Sequence, residues 1–340
     1  MIATAHPAAG SRRLLITGAS SGIGLEAAQQ LVQRGHQLTL LIRSAERCQQ
    51  TLERLQRMGA DPAQLQGLVV DLADLRSVEQ GCQQLLDQGQ PLDALLLNAG
   101  LQRAGDPLPQ RSAQGVETTF AVNQLAHQLM VLRLLPLLCQ APQPRLVITA
   151  SDVHNPASGG GRVGWPASLG DLAGLRSGPD FLMLDGSQRF DADKAYKDSK
   201  LCNVLLAREL ARQLDGAMPV IAWSPGLVIP RSREGFFRFN RARNPLGMGL
   251  FAVVARDLLR VTESPQRAGQ LLADLAVDPA YASPGFHYLS NHLLRPGLHR
   301  FEPIATSSEA ADLHKAAELW RLGEQLLAGL LEPHPSGLNP

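Results

Sequence analysis

Long apolar runs are missing from this 340-residue chain, and none approaches the roughly 18 residues that a membrane-spanning helix needs. An integral helical membrane protein is thereby excluded. A dominant charge is missing too: 32 Lys and Arg face 31 Asp and Glu, for a formal net charge of +1. With no basic block either, nucleic acid is not expected as the main partner. Cysteine is scarce. Cys48, Cys82, Cys139 and Cys202 are widely separated, without metal-ligand spacing or a disulfide framework. They read as thiols packed as small hydrophobes in a reducing compartment, and no metal site is expected. Residues 1–12 lack an apolar signal-peptide core, and no leader of transit-peptide length is seen, which suits a bacterial cytoplasm. Aromatics make up only 4%, yet the 44% hydrophobic content is ordinary for a globular protein, so disorder and fibrous architectures are out. No internal repeat is present.

What is there alternates. Short apolar runs at Leu14–Thr17, Gln37–Ile42, Gly67–Val70, Ala94–Leu97, Leu146–Thr149 and Val220–Trp223 lack period-2 patterning, as expected of strands buried on both faces. Helix-length segments lie between them: Leu25–Arg34, Leu75–Leu86, Gln114–Leu138 and Ala195–Gln213. This repetition predicts an α/β fold with a doubly wound parallel sheet, its last strand through Phe286–Leu289. Two regions break the repeat: residues 152–190, with four Gly and two Pro in Pro156–Pro166, and residues 229–282, which open on the Arg-rich Arg231–Arg243. Both fall where the crevice beyond the strand carboxyl ends should lie, and both are expected to be lids. The domain expected is therefore a single one over residues 12–330, with a leader over 1–11 and a tail over 331–340. A final helix is expected from Thr306, with Thr306 and Glu309 at capping-box spacing.

The first strand runs directly into Thr17-Gly18-Ala19-Ser20-Ser21-Gly22-Ile23-Gly24, and a helix opens at Leu25. Glycines are needed where a turn is tight and where backbone approaches a pyrophosphate, whose charge the helix N-terminus then stabilises. Set between strand and helix at the start of an α/β repeat, the loop predicts a dinucleotide site. The second strand ends in Leu41-Ile42-Arg43, with no acid before Glu46 to take a ribose 2′-hydroxyl. Arg43 is suited to pair with a 2′-phosphate, which favours NADPH as cofactor; read alone it is also a solvated helix-start arginine.

Tyr196 and Lys200 stand four apart in a helical segment and so share a face. A phenol of pKa about 10 works poorly near neutrality unless a cation stabilises its phenolate. Arginine outnumbers lysine 28 to 4, yet three of the lysines lie at 194, 197 and 200. The compact ammonium is kept where a ribose and a phenol could use it. Lys194 and Lys197 are expected to be exposed. Upstream, Ser151 ends the fifth strand and Asn123 lies in the preceding helix. Both suit hydrogen-bonding roles at the crevice; singly, Ser151 also fits a cap and Asn123 a buried polar residue.

Thr17–Gly24, Asp71, Asn98-Ala99-Gly100, Asn123, Ser151, Tyr196, Lys200 and Pro225-Gly226 stand in an order that resembles the short-chain dehydrogenase/reductases. The resemblance implies a Rossmann sheet of seven parallel strands and a nicotinamide site built from Gly18, Ser20–Gly24, Arg43, Asp71, Leu72, Asn98–Gly100, Tyr196, Lys200, Pro225 and Gly226. It implies Tyr196 as proton donor, Lys200 on the ribose, Ser151 orienting substrate and Asn123 serving a water relay. Within that family, Tyr196–Asn203, Met183–Gly186, Leu169–Leu172, Leu125-Ala126-His127 and the ending from Ser307 through Trp320 are similar to the light-dependent protochlorophyllide oxidoreductases. That likeness implies a tetrapyrrole substrate under a lid bearing Leu227, Phe236 and Phe237, and light-driven reduction of its D-ring C17=C18 bond, a step of chlorophyll biosynthesis in photosynthesis. The chain departs from the pattern at three places. Leu227 stands where that family has a cysteine, Pro230 and Arg231 replace threonines, and Gly100 follows the general dehydrogenases. Two other readings stay open: a dark carbonyl reductase or alcohol dehydrogenase for a bulky apolar substrate, and a non-catalytic NADP- or pigment-binding protein. Peripheral membrane contact is a further expectation, through Phe236–Phe239 amid arginines.

Overall fold

A computed structural model describes residues 10–229 and 236–331. Residues 1–9 of the expected leader over 1–11, residues 230–235, which include Pro230 and Arg231, and residues 332–340 of the expected tail lie outside the described residues. Eight strands form one sheet in the order β3-β2-β1-β4-β5-β6-β7-β8. They are β1 Arg13–Thr17, β2 Gln37–Ile42, β3 Leu65–Val69, β4 Ala94–Leu97, β5 Arg145–Thr149, β6 Pro219–Ser224, β7 Gly285–Arg295 and β8 Leu298–Pro303. The first seven pair in parallel and β8 returns antiparallel on β7. The resemblance implied seven strands; the eighth escaped because Leu298–Pro303 has only half-buried and exposed positions, as an edge strand does. The central strands β1, β4, β5 and β6 are buried almost throughout, which explains their unbroken apolar runs.

Helices cover both faces: α1 Gly22–Gln33, α2 Ala45–Arg57, α3 Leu75–Gln88, the single turn α4 Thr118–Phe120, α5 Ala126–Leu138, α6 Ala173–Arg176, α7 Ala192–Gln213, α8 Arg238–Arg243, α9 Pro245–Ala252, α10 Pro265–Val277 and α11 Leu313–Leu331. Their starts are set by short polar side chains. Ser44, Asp74, Asp191 and Ser264 each accept a backbone N–H of the first turn. Helix α1 is not capped in this way: its N-cap Ser21 makes no such bond and its first turn has no acid. The N–H groups there are left for a ligand.

Four expectations need correction. Pro265–Val277 is no lid: Ala268, Leu271, Leu272, Leu275 and Ala276 are buried in the core beside α1. Much of 152–190 is also core, since Leu169, Leu172, Leu175, Phe181 and Leu184 pack there. The capping box at Thr306 does not form; Glu309 instead accepts from Leu169 N and Lys315 Nζ, and α11 starts at Leu313 behind Asp312. The segment predicted as one helix over 114–138 is interrupted by a π-helical turn at Ala121–Leu125. No helix among the described residues is long and apolar enough to cross a membrane.

Candidate active site

In a sheet of this order the crevice opens beyond the carboxyl ends of β1 and β4, where the strand order reverses. A cavity of about 1510 Å³ lies there, above the roughly 300–1,000 Å³ of ordinary small-ligand sites. Gly18, Ser20–Gly24, Arg43, Asp71, Leu72, Asn98–Gly100, Ser151, Tyr196, Lys200, Pro225, Gly226, Leu227, Phe236 and Phe237 all line it. Asn123 alone among the predicted residues lies behind the wall.

The loop after β1 fits a dinucleotide. Gly18 (φ +73°) and Gly22 (φ +56°) hold the left-handed turn. A Cβ on Gly24 would stand 2.7 Å from Asn98 Nδ2 and closer still to the Gly18 carbonyl, so the helix starts hard against the strand. Thr17 Oγ1 accepts from the N–H groups of Asn98 and Ala99, and Asn98 Nδ2 returns a bond to Thr17 O, locking the two loops together. At the far side Arg43, Arg47 and Asp71 face the same space.

Helix α7 carries Tyr196 and Lys200 to the opposite wall. Lys200 is 3% exposed; its Nζ donates to Thr149 O at 2.8 Å and Asn203 Oδ1 at 3.2 Å, and lies 5.8 Å from the Tyr196 ring centre. Burial lowers this ammonium to about 7. It raises the Tyr196 phenol, against a hydrogen bond from Ser151. The expected lowering of the phenol is thus not what the free protein has. The Tyr196 ring is half-buried in the cavity wall, and the hydrogen bonds of the lysine go to Thr149 and Asn203. A phenol held protonated suits a donor.

Asn123 has a different surrounding from the one implied. Its side chain bonds both backbone groups of Leu101 and the Ser199 hydroxyl. Its carbonyl, presented by the π-turn, accepts from Asn203 Nδ2 at 2.6 Å and His127 Nδ1 at 3.1 Å. Both lone pairs are used by side chains. His127 must therefore carry its proton on Nδ1 and stay neutral, since burial lowers its pKa to about 3. Asn203, which bridges Lys200 to that carbonyl, went unrecognised; the signal was its place three residues after Lys200 on the same helix face. Ser151 is fixed from behind: its carbonyl accepts from His154 Nδ1 at 2.8 Å, while Asp152 accepts from Tyr288 and Ser290.

Lys194 and Lys197 are buried, against expectation. Lys194 pairs with Asp198 at 2.6 Å and Asp185 at 3.1 Å. Lys197 donates to the carbonyls of Gly161, Val163 and Trp165, clasping the glycine-rich loop to α7. For Lys197 periodicity could not show this, because its partners are carbonyls of an irregular segment, whereas Lys194 has Asp198 one helical turn away. Cys202 is fully buried in the core and away from the cavity.

The depressed Lys200 gives a pH test. Its folded value of about 7 lies below an unfolded value near 10.5. Below pH 7 both states hold the proton and the fold bears the full cost of the buried charge. Between 7 and 10.5 the unfolded chain binds the extra proton, so stability rises with pH. Relative to Lys200→Met, the free wild-type protein is expected to gain stability from pH 7 to 10, by at most about 3.5 kcal/mol. Denaturant midpoints of both proteins across that range check it; parallel curves would refute the assignment.

The short chain dehydrogenase family profile matches residues 12–163. Protochlorophyllide reductase A, chloroplastic, of Oryza sativa subsp. japonica is 34% identical over 322 residues, 92% of this chain and 80% of that one. Protochlorophyllide reductase of Avena sativa is 33% identical over 325 residues, 92% and 99% of the two chains. Among solved structures, the RhlG/NADP active-site complex of Pseudomonas aeruginosa superposes with a TM-score of 0.60 at 23% identity, covering 84% of this chain and 98% of that one, a likeness of fold. The glycine loop, the sheet order and these relatives agree: the chain belongs to the short-chain dehydrogenase/reductase family of oxidoreductases and is a homologue of the protochlorophyllide reductases.

Proposed function

We propose that the protein is an NADPH-dependent reductase of a protochlorophyllide-type tetrapyrrole, reducing the D-ring C17=C18 double bond to give the chlorophyllide. The observation that carries this reading is the size and chemistry of the cavity: about 1510 Å³, with the Tyr196 ring 5.3 Å from that of Phe236 at a tilt of 57° and with Leu227, Phe237, Met248 and Phe251 along its wall. A dinucleotide does not need that apolar volume. A large planar ligand does.

When bound, NADPH supplies a hydride to one carbon of the double bond. The protein's own part is positional and protonic. The loop Gly18–Gly24 offers backbone N–H groups at the start of α1 to the pyrophosphate, and Arg43 offers a guanidinium to the 2′-phosphate. Tyr196, raised by burial, holds its proton until a carbanion-like carbon develops beside it, then donates it through Oη. Ser151 steadies that hydroxyl, and Lys200 sits beneath the ring to stabilise the phenolate left behind. The apolar lid excludes water from the developing charge.

Leu227 supports one other reading, a light-independent carbonyl reductase for a bulky apolar ketone, because the cavity wall there lacks a thiol. One assay separates them. Protein, NADPH and protochlorophyllide are mixed in darkness and spectra are compared before and after a flash. A light-dependent red shift to a chlorin spectrum is expected. Dark carbonyl turnover without that shift would establish the alternative, and tight binding with neither would leave a binding protein. The proposed setting is a bacterial cytoplasm; Phe236–Phe239, expected at a membrane, line the cavity instead, and the exposed Leu246 and Leu250 of α9 are available for peripheral contact with photosynthetic membranes.

A further inference from the structure

The cavity's end beside β2 is walled by more arginine than the loop motif explains. Arg43 follows β2, Arg47 lies in the first turn of α2, Arg103 follows β4, and Arg238 opens α8 from across the cleft. The guanidinium carbons of Arg103 and Arg238 each lie 4.3 Å from the ring centre of Phe239. Asp106 ties this arrangement down, accepting from Arg103 Nε and from Arg243 Nη1, both at 2.7 Å. Two residues before Arg238, Phe236 packs on the ring of Tyr196.

We propose that Arg238 is a specificity-determining residue of the cofactor site, binding with Arg43 and Arg47 the phosphomonoester that separates NADPH from NADH, so that seating of helix α8 depends on that phosphate. This rests on the NADPH reading given above. Like charges brought together in a partly enclosed space repel unless an anion joins them. Arg43, Arg47 and Arg103 all depress Arg238, after burial, to about 10, with Asp71 acting in the opposite sense. Asp71 also accepts the N–H of Ala73. A phosphomonoester carries close to two negative charges at neutral pH and three terminal oxygens, which planar guanidiniums grip in pairs. A ribose hydroxyl offers neither. NADH lacks the group on which Arg43, Arg47 and Arg238 would converge, so α8, with Phe236 beside it, would be held less firmly over Tyr196.

The test is cofactor binding by the full chain, followed by calorimetry with NADPH, NADH and adenosine 2′,5′-bisphosphate. Arg238→Ala is expected to weaken NADPH and the bisphosphate at least 10-fold while leaving NADH within about 3-fold. Arg238→Gln keeps the stem that packs near Phe239, so the same pattern in that variant separates lost charge from lost packing. Arg238→Lys is expected to fall between wild type and alanine. If wild type prefers NADPH but Arg238→Ala and Arg238→Gln weaken all three ligands equally, or none, the inference is overturned while the cofactor reading stands. If wild type binds NADPH and NADH alike, the cofactor reading itself falls.

Discussion

Replacing Tyr196 by phenylalanine is expected to slow turnover by about 100- to 10,000-fold, the usual contribution of a positioned general acid. NADPH affinity is expected to change by no more than a few-fold. The two halves of this expectation come from different contacts. The hydroxyl hydrogen-bonds Ser151 and reaches the cavity, so its loss removes the proton and little else. The ring stays, because it is held by packing against Phe236 and lies over Lys200. The measurement is single-turnover rate against cofactor titration, with thermal melting to show that the fold persists. A variant as fast as wild type would remove Tyr196 as donor. A variant that loses cofactor as well would make its role one of binding.

Gly24→Ala is expected to weaken NADPH binding at least 100-fold and to lower the melting temperature. The added carbon would sit 2.7 Å from Asn98 Nδ2, nearer still to Gly18 O and 2.9 Å from Gly18 C. Two of those atoms are backbone, and Asn98 is pinned by Thr17 and Thr149, so neither side can yield cheaply. The start of α1 must move away from β1, and the uncapped N–H groups of the first turn move with it. Gly22→Ala is the control: it strains a φ of +56° but meets nothing within 4 Å. If both variants bind NADPH equally well, close approach at Gly24 is not what shapes the phosphate cradle.

The strands and the dinucleotide loop were legible because both are local. Val147 and Ile221 are apolar where both faces of a strand are buried, and glycine recurs where backbone must turn left. Two elements at the periphery were not. β8 has little to bury, and α2 has only Cys48, Thr51 and Leu55 buried along its length. Within the site, the residues of the family motifs were found, whereas several that act through a carbonyl were missed. Asn203, His127 and Lys197 all bond backbone oxygens, and no pattern of side chains announces such a partner. The lids were over-extended for a related reason. Helix α10 is amphipathic, and which surface its apolar stripe meets is decided by α1, hundreds of residues earlier.

Turning three of four lysines inward has a consequence for the outside of the molecule. Lys194, Lys197 and Lys200 are at most 9% exposed, and Lys315 is itself engaged with Glu309. Nearly all cationic side chains that meet solvent are therefore guanidiniums, which keep their proton past pH 12. Through the alkaline range in which amine-rich surfaces discharge, this exterior retains its positive half almost unchanged.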